Sequence, residues 1–257
     1  MTTREMLHQL GTVLVIAGVL LVADAIATIV WQEPISAIYN GVTQDALAGD
    51  LEQLEQARPS VVETKALEKL ESTTRRMAFL GRSLRREADP GDAIGRITAK
   101  TGKIDSVIVE GTDPAELRKG PGLYESTVYP GVGGTTAIAG HRTTYGAPFR
   151  HIDKMNPGDR IVVEMPYGRF VYRVQQRKIV PPTAVEVVKN VGYDRLVLTA
   201  CHPLYSAAQR VVVFARQISA APRGSARGGA DTPVPGQKAR RLKDAGLSPD
   251  APTGSAP

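Results

Sequence analysis

Three residues in this chain have the chemistry to open an amide. Cys201 is the only cysteine among 257 residues. It follows the apolar, strand-like run Leu196–Leu198 and precedes a turn through His202 and Pro203. Arg210 stands just before the next apolar run, Val211–Phe214, and His141 follows a third, Ala137–Ala139. A nucleophile, a proton carrier and a fixed cation therefore sit at the mouths of three strands. A free thiol has a pKa of about 8.5, so little of it is thiolate at neutral pH. Nearby positive charge lowers that value and raises reactivity. A histidine supplies such charge and protonates a leaving amine. An arginine keeps its proton, so its role is to hold an oxyanion or a substrate carbonyl. Together the three suit acyl transfer from an amide through a thioester. Each also has an ordinary structural reading: a small buried hydrophobe for the cysteine, a turn residue for the histidine, an edge charge for the arginine. Their conjunction favours chemistry.

Composition narrows the setting. One cysteine excludes an internal disulfide framework and a thiolate metal cluster. The four histidines, His8, His141, His151 and His202, lack metal-ligand spacing. Neither metal nor cofactor is expected. The net charge of +6 suits lipid head groups or wall polymers, and no nucleic-acid motif accompanies it.

The elements that must position the trio follow from the chain in order. Residues 10–31 are almost wholly apolar, with Asp24 the one flaw and Trp31 suited to a membrane interface. Arg4 precedes this span, and no Lys or Arg follows it until Arg58. The positive-inside rule then puts the N-terminus in the cytoplasm and the rest outside. Small-residue sites near Ala25 and Ala27 would suit a cleaved signal peptide, but the apolar stretch is longer than a signal core, and an uncleaved anchor is favoured. Residues 34–92 read as a helical stalk. Leu47, Leu51 and Leu54 have helical spacing, as do Leu67 and Leu70, with Pro59 between. Arg75, Arg76, Arg82, Arg85 and Arg86 read as a solvated basic face. Asp89-Pro90-Gly91-Asp92 is a turn and a boundary.

From Ala93 to Ser219, short runs rich in Val, Ile and Tyr alternate with Gly, Pro, Asn and Asp turns. Seven runs stand out: Ile94–Ile97, Val107–Val109, Thr136–Ala139, Arg160–Glu164, Phe170–Val180, Arg195–Thr199 and Val211–Ile218. They predict a β-sandwich or a closed barrel. Pro114 opens a short helix capped by Thr112 or Asp113. Residues 220–257 are aperiodic and are expected to be disordered. Their Pro249-Asp-Ala-Pro-Thr-Gly254 is a chance likeness to a sorting signal, because no apolar segment follows it.

Several pieces together resemble a sortase, a membrane-anchored cysteine transpeptidase of Gram-positive bacteria. They are Val109–Thr112, Leu117–Tyr124, Ile138–Phe149, and Leu198–Pro203 with Arg210. The stretch Ile138–Phe149 and the Cys-His-Pro turn are most similar to class E housekeeping sortases of actinobacteria. The resemblance implies a mainly β fold, a closed eight-stranded barrel behind a transmembrane helix and a helical stalk. It makes Cys201 the nucleophile, His141 the general acid/base and Arg210 the oxyanion and substrate clamp. It implies cleavage of a Leu-x-x-Thr-Gly signal, of Leu-Ala-x-Thr-Gly type for class E, between Thr and Gly. The partners it implies are secreted proteins bearing that signal and a peptidoglycan-precursor amine. One departure is notable: the family usually has Thr just before its cysteine, and here that residue is Ala200. A hydroxyl there would offer substrate one hydrogen bond, worth about 0.5–1.5 kcal/mol.

Around the trio, Tyr124, Tyr145 and Tyr205 lie in loops where they line a peptide groove or pack, and Thr199 and Ala200 flank the cysteine as candidate substrate contacts. Strand alternation turns His202 away from Cys201, and His151 reads as a surface residue. Two other functions stay open. A pilin-polymerising sortase would carry an Asp-Pro-aromatic lid and a second apolar span, neither seen here. An inactive tethered scaffold that binds peptide or wall polymer would label with no sorting-signal mimic.

Overall fold

The computed structural model describes residues 3–31 and 34–228. Helix α1, Thr3–Trp31, contains the stretch Arg4–Ala27, long and apolar enough to cross a membrane, with none of it buried. The side chain of Trp31 and the segment 229–257, with its sorting-signal likeness and expected disorder, lie outside the described residues. Helices α2 (Pro34–Gln56), α3 (Val61–Glu68) and α4 (Thr73–Glu87) follow.

The rest is built on eight strands: β1 Ala93–Ala99, β2 Ile104–Glu110, β3 Gly122–Leu123, β4 Thr135–Ala139, β5 Arg160–Met165, β6 Gly168–Val180, β7 Arg195–His202 and β8 Gln209–Pro222. They close into a barrel in the order β1-β2-β3-β4-β7-β8-β6-β5. Most pairs are antiparallel, while β4 runs parallel to β7. Period-two alternation decides what each strand buries. Leu196, Leu198 and Ala200 of β7 join Val211, Val213 and Ala215 of β8 in the barrel interior. Val197 and, from β8, Val212 and Phe214 face outward, where Val187 and Val188 of a 3-10 turn (Val185–Val188) cover them.

Two features differ from the sequence expectation. The first is β3, which no run predicted. It is two residues long, and a Cβ on Gly122 would lie 2.0 Å from the Gly111 carbonyl oxygen, so the strand fits only as glycine against a close backbone. The second is the C-terminal edge. Strand β8 continues past Ser219 to Pro222, which pairs with Gly168, and the turn Gly224–Arg227 then buries Ser225 and Ala226. The long β6 offers residues 220–222 a ladder, and the turn that follows is held by Ala226 in the core.

The helices after α1 also pack more closely than a stalk would. Leu47 and Leu51 of α2 are buried with Ala93, Val107 and Val109, while Leu67, Met77, Leu80 and Leu84 enter the main core. Gln44 of α2 accepts from the Val107 N–H (2.7 Å) and donates to the Lys119 carbonyl (2.8 Å). It thus meets backbone groups of β2 and of the turn before β3, which satisfies part of an otherwise open edge. Helix α3 ends at Glu68, short of Leu70, and begins with a reciprocal cap between Ser60 and Glu63. The basic face divides. Arg75, Arg82 and Arg86 are exposed, but Arg85 turns inward onto Glu110 (3.2 Å) and the Glu125 carbonyl, and Arg76 donates to the Leu70 carbonyl.

Candidate active site

Cys201 and Arg210 are register partners across the β7–β8 ladder. On the other side of β7, Ala139 of β4 pairs with Thr199, and the Gly140 N–H donates to the Thr199 carbonyl (3.1 Å). His141 follows two residues after Ala139, as Cys201 follows two residues after Thr199. Three neighbouring strands, β4, β7 and β8, thus deliver His141, Cys201 and Arg210 to one end of the barrel. Cys201 is half-buried and unpaired.

The backbone before His141 is set by Gly140, where a Cβ would lie 2.6 Å from the Phe149 ring. The Phe149 N–H returns to the His141 carbonyl (3.0 Å), so His141–Phe149 is a closed loop seated on a buried aromatic. The His141 ring lies 5.0 Å from that of Tyr145, and the Arg118 guanidinium lies over Tyr145 at 5.8 Å. His141 Nε2 is buried and has no hydrogen-bond partner among the described residues. Burial, and secondarily the Arg118 charge, hold the His141 pKa below its ordinary value. At neutral pH it is a neutral imidazole, able to accept a proton.

Arg210 donates through Nη1 to the Ala207 and Gln209 carbonyls, both at 3.0 Å. These bonds fix the guanidinium to its own loop. Its other N–H groups make no hydrogen bond among the described residues.

Thr199 lies on the same strand face as Cys201, two residues away, and its Oγ1 is 2.9 Å from the Tyr124 hydroxyl. Ala200 is different. It is 4% exposed and points into the barrel core with Val211 and Val213. Adjacent strand residues face opposite sides, so the Ala200 side chain stands on the core side of β7 and not on the face of Thr199 and Cys201. Tyr145 and Tyr205 both have positive φ, of 50° and 64°. Tyr205 is exposed, and Arg150 donates to its hydroxyl (3.3 Å).

His202 turns to the face opposite Cys201, as alternation requires. There it meets a residue the sequence reading had passed over, Arg142. This arginine is 3% exposed. One Nη1 lies 3.0 Å from His202 Nδ1 and donates to the Cys201 carbonyl (3.3 Å), while Nη2 pairs with Asp153 (2.8 Å). Its Nε donates to the Arg150 carbonyl (3.3 Å). Arg142 therefore ties the loop that begins at His141 to the strand end that carries Cys201. Its place beside His141 was the one available signal. His151 is half-buried and precedes the 3-10 turn Ile152–Lys154, so it is less exposed than expected. Among the described residues, no three His, Cys, Asp or Glu side chains group as metal ligands.

A sequence model of the family described as "Sortase domain" matches residues 97–218. Sortase D of Bacillus subtilis is 29% identical over 135 residues, covering 51% of this chain and 67% of that protein. Sortase SrtE1 of Streptomyces coelicolor is 35% identical over 99 residues, covering 35% of this chain but only 28% of the relative's length. Among solved structures, a Clostridium perfringens sortase D5 transpeptidase superposes with a TM-score of 0.50 at 27% identity, covering 62% of this chain and all of that one. The closed barrel and these matches agree: residues 97–218 form a sortase domain, the domain of a family of cysteine transpeptidases.

Proposed function

We propose that this protein is held in the plasma membrane by α1, with its N-terminus in the cytoplasm, and acts outside as a transpeptidase on C-terminal sorting signals. The signal is of Leu-x-x-Thr-Gly type, with Leu-Ala-x-Thr-Gly the first candidate. Secreted proteins bearing it are the acyl donors, and a peptidoglycan-precursor amine is the acceptor. The reading is supported by the register pairing of Cys201 with Arg210 and by β4, which lies parallel beside β7 and ends two residues before His141.

The chemistry follows from the groups. His141, neutral and desolvated, takes the thiol proton as the Cys201 sulfur attacks the Thr carbonyl carbon. The free N–H groups of Arg210 stabilise the oxyanion of the tetrahedral intermediate. Collapse breaks the Thr–Gly C–N bond, and the imidazolium gives its proton to the departing glycine amine. A thioester to Cys201 remains. An incoming amine attacks it, His141 removes the amine proton, and the C–S bond breaks to regenerate the thiol.

The test uses the full chain in an uncharged detergent with a panel of Leu-x-x-Thr-Gly peptides, with and without candidate amines. Mass spectrometry should find cleavage between Thr and Gly, amine-dependent ligation, and a covalent adduct on Cys201. Turnover by Cys201→Ala would overturn the mechanism. Intact peptide and no adduct in the wild type would favour the scaffold reading.

A further inference from the structure

The outer face of the barrel carries a row of arginines that nothing in the transpeptidase chemistry uses. Arg160 of β5 is the register partner of Arg173 of β6, and Arg173 is in turn the partner of Arg216 of β8. Arg216 is also the partner of Arg195 of β7. One rung across four adjacent strands is thus arginine at every position. The first three are exposed. Arg195 is buried beneath the turn before β7, donating to the Val187 and Lys189 carbonyls.

Like charges directly opposite each other on adjacent strands are destabilising. The fold handles the two other arginines of β6 in the ordinary way: Arg169 faces Glu164 in register and pairs with it at 3.4 Å, and Arg177 donates to the Met155 carbonyl at 2.9 Å. In contrast, Arg160, Arg173 and Arg216 enter no ion pair among the described residues. Asp159 and Asp194, next to two of the arginines in sequence, accept instead from the backbone N–H groups of Asn156 (2.8 Å) and Gly134 (3.0 Å). Arg216 is held in place by the Tyr193 ring, 5.0 Å from its guanidinium. Neighbouring strands are about 4.8 Å apart, so the three exposed cations form a line about 10 Å long.

A guanidinium presents a planar fork of N–H donors that matches phosphate. Three such forks in a line across strands fit a chain of anions better than a single ion. We propose that Arg160, Arg173 and Arg216 form a binding rung for a linear polymer carrying phosphate groups along its backbone. The rung lies at the opposite end of β7 from Cys201, so polymer held there leaves the cysteine free. It would hold the enzyme against a phosphate-bearing polymer while peptide chemistry proceeds elsewhere.

The test uses the full chain in an uncharged detergent, with long-chain inorganic polyphosphate as probe, titrated at several salt concentrations. The wild type is expected to bind with a steep salt dependence. The triple variant Arg160→Gln, Arg173→Gln, Arg216→Gln is expected to bind about tenfold or more weakly, and the log–log salt slope to flatten by about two. A control triple, Arg75→Gln, Arg82→Gln, Arg86→Gln, removes the same charge from α4 and should change affinity less than about twofold. Thermal melts should show the rung variant at least as stable as the wild type. If the triple fails to fold, Arg173→Gln alone, central in the row, is expected to weaken binding by about threefold. Equal loss in both triples, or no binding by the wild type, would refute the rung. So would orthophosphate competing as well as the polymer at equal total phosphate, which marks a single-ion pocket. Loss of binding to phosphatidylglycerol vesicles without loss of polyphosphate binding would assign the arginines to a membrane surface and refute the polymer.

Discussion

Cys201 and Arg210 face each other across the β7–β8 ladder as register partners. The turn between the two strands returns the chain so that Arg210 stands opposite Cys201, and the Ala207 and Gln209 carbonyls hold its Nη1 to the loop. Arg210→Ala should therefore lower kcat/KM by about 10²–10³, the usual effect of losing an oxyanion donor. Arg210→Lys keeps the charge but loses the fork, and should recover little. Peptide cleavage followed by chromatography measures both.

His141 sets a pH dependence. Burial holds its pKa below the ordinary value of about 6.5, with Arg118 adding to the effect. The acid limb of kcat/KM should then fall below pH 6.5. Arg118→Gln removes the smaller cause and should move the limb part of the way back up. Stability carries the same sign. The unfolded chain binds a proton below about pH 6.5 while folded His141 resists it, so this residue makes stability fall as pH drops through 6.5 towards the folded pKa. His141→Gln should flatten that part of a melting-temperature profile.

Ala200 lies in the core, so restoring a threonine there tests packing rather than substrate contact. Ala200→Thr adds a methyl and a hydroxyl among Val211, Val213 and Leu198. It should destabilise by about 1–3 kcal/mol, as overpacking does, and should not raise kcat. Thr199→Val, on the face of Cys201, breaks the contact with Tyr124 and should affect KM more than stability. Denaturation and steady-state kinetics on the two variants separate these outcomes.

Arg142 positions the cysteine rather than touching substrate. Arg142→Met leaves Asp153 without its partner and frees the Cys201 carbonyl. Because Asp153 is partly exposed, the stability loss should be at the lower end for a broken pair, about 2–3 kcal/mol. A positioning role also predicts that kcat falls with KM nearly unchanged in folded protein, and that Arg142→Lys rescues stability more than rate. A purely structural role would leave kcat per folded molecule unchanged.

Helix α2 is part of the catalytic unit's packing. Gln44→Ala removes the hydrogen bonds to the backbone at Val107 and Lys119, and should cost about 1–3 kcal/mol by chemical denaturation. A free stalk would give no change.

Local chemistry in the sequence was enough to single out Cys201, His141 and Arg210 as candidates and to find most strands. Apolar runs ending in Cys201, His141 and before Arg210 announce strand mouths, because alternation and turn residues are local signals. The apolar stretch of α1 is equally legible, since spanning length depends on composition alone. What the sequence could not supply was everything that depends on strand order. The parallel pairing of β4 with β7 sets the segment that leads to His141 beside the strand that carries Cys201, and no local signal encodes a parallel partner. The two-residue β3 has too little pattern to register, and the α2 stripe of Leu47 and Leu51 looked thin until the barrel wall at Ala93, Val107 and Val109 completed its core. Arg142 and Ala200 show the same division. Their neighbours in sequence marked the site, but only the closed barrel decided that Arg142 grips Cys201 from behind and that Ala200 faces inward. Likewise, four arginines scattered from Arg160 to Arg216 became a single rung through register. Residue types fix what chemistry is available. Long-range strand pairing fixes which of those residues meet.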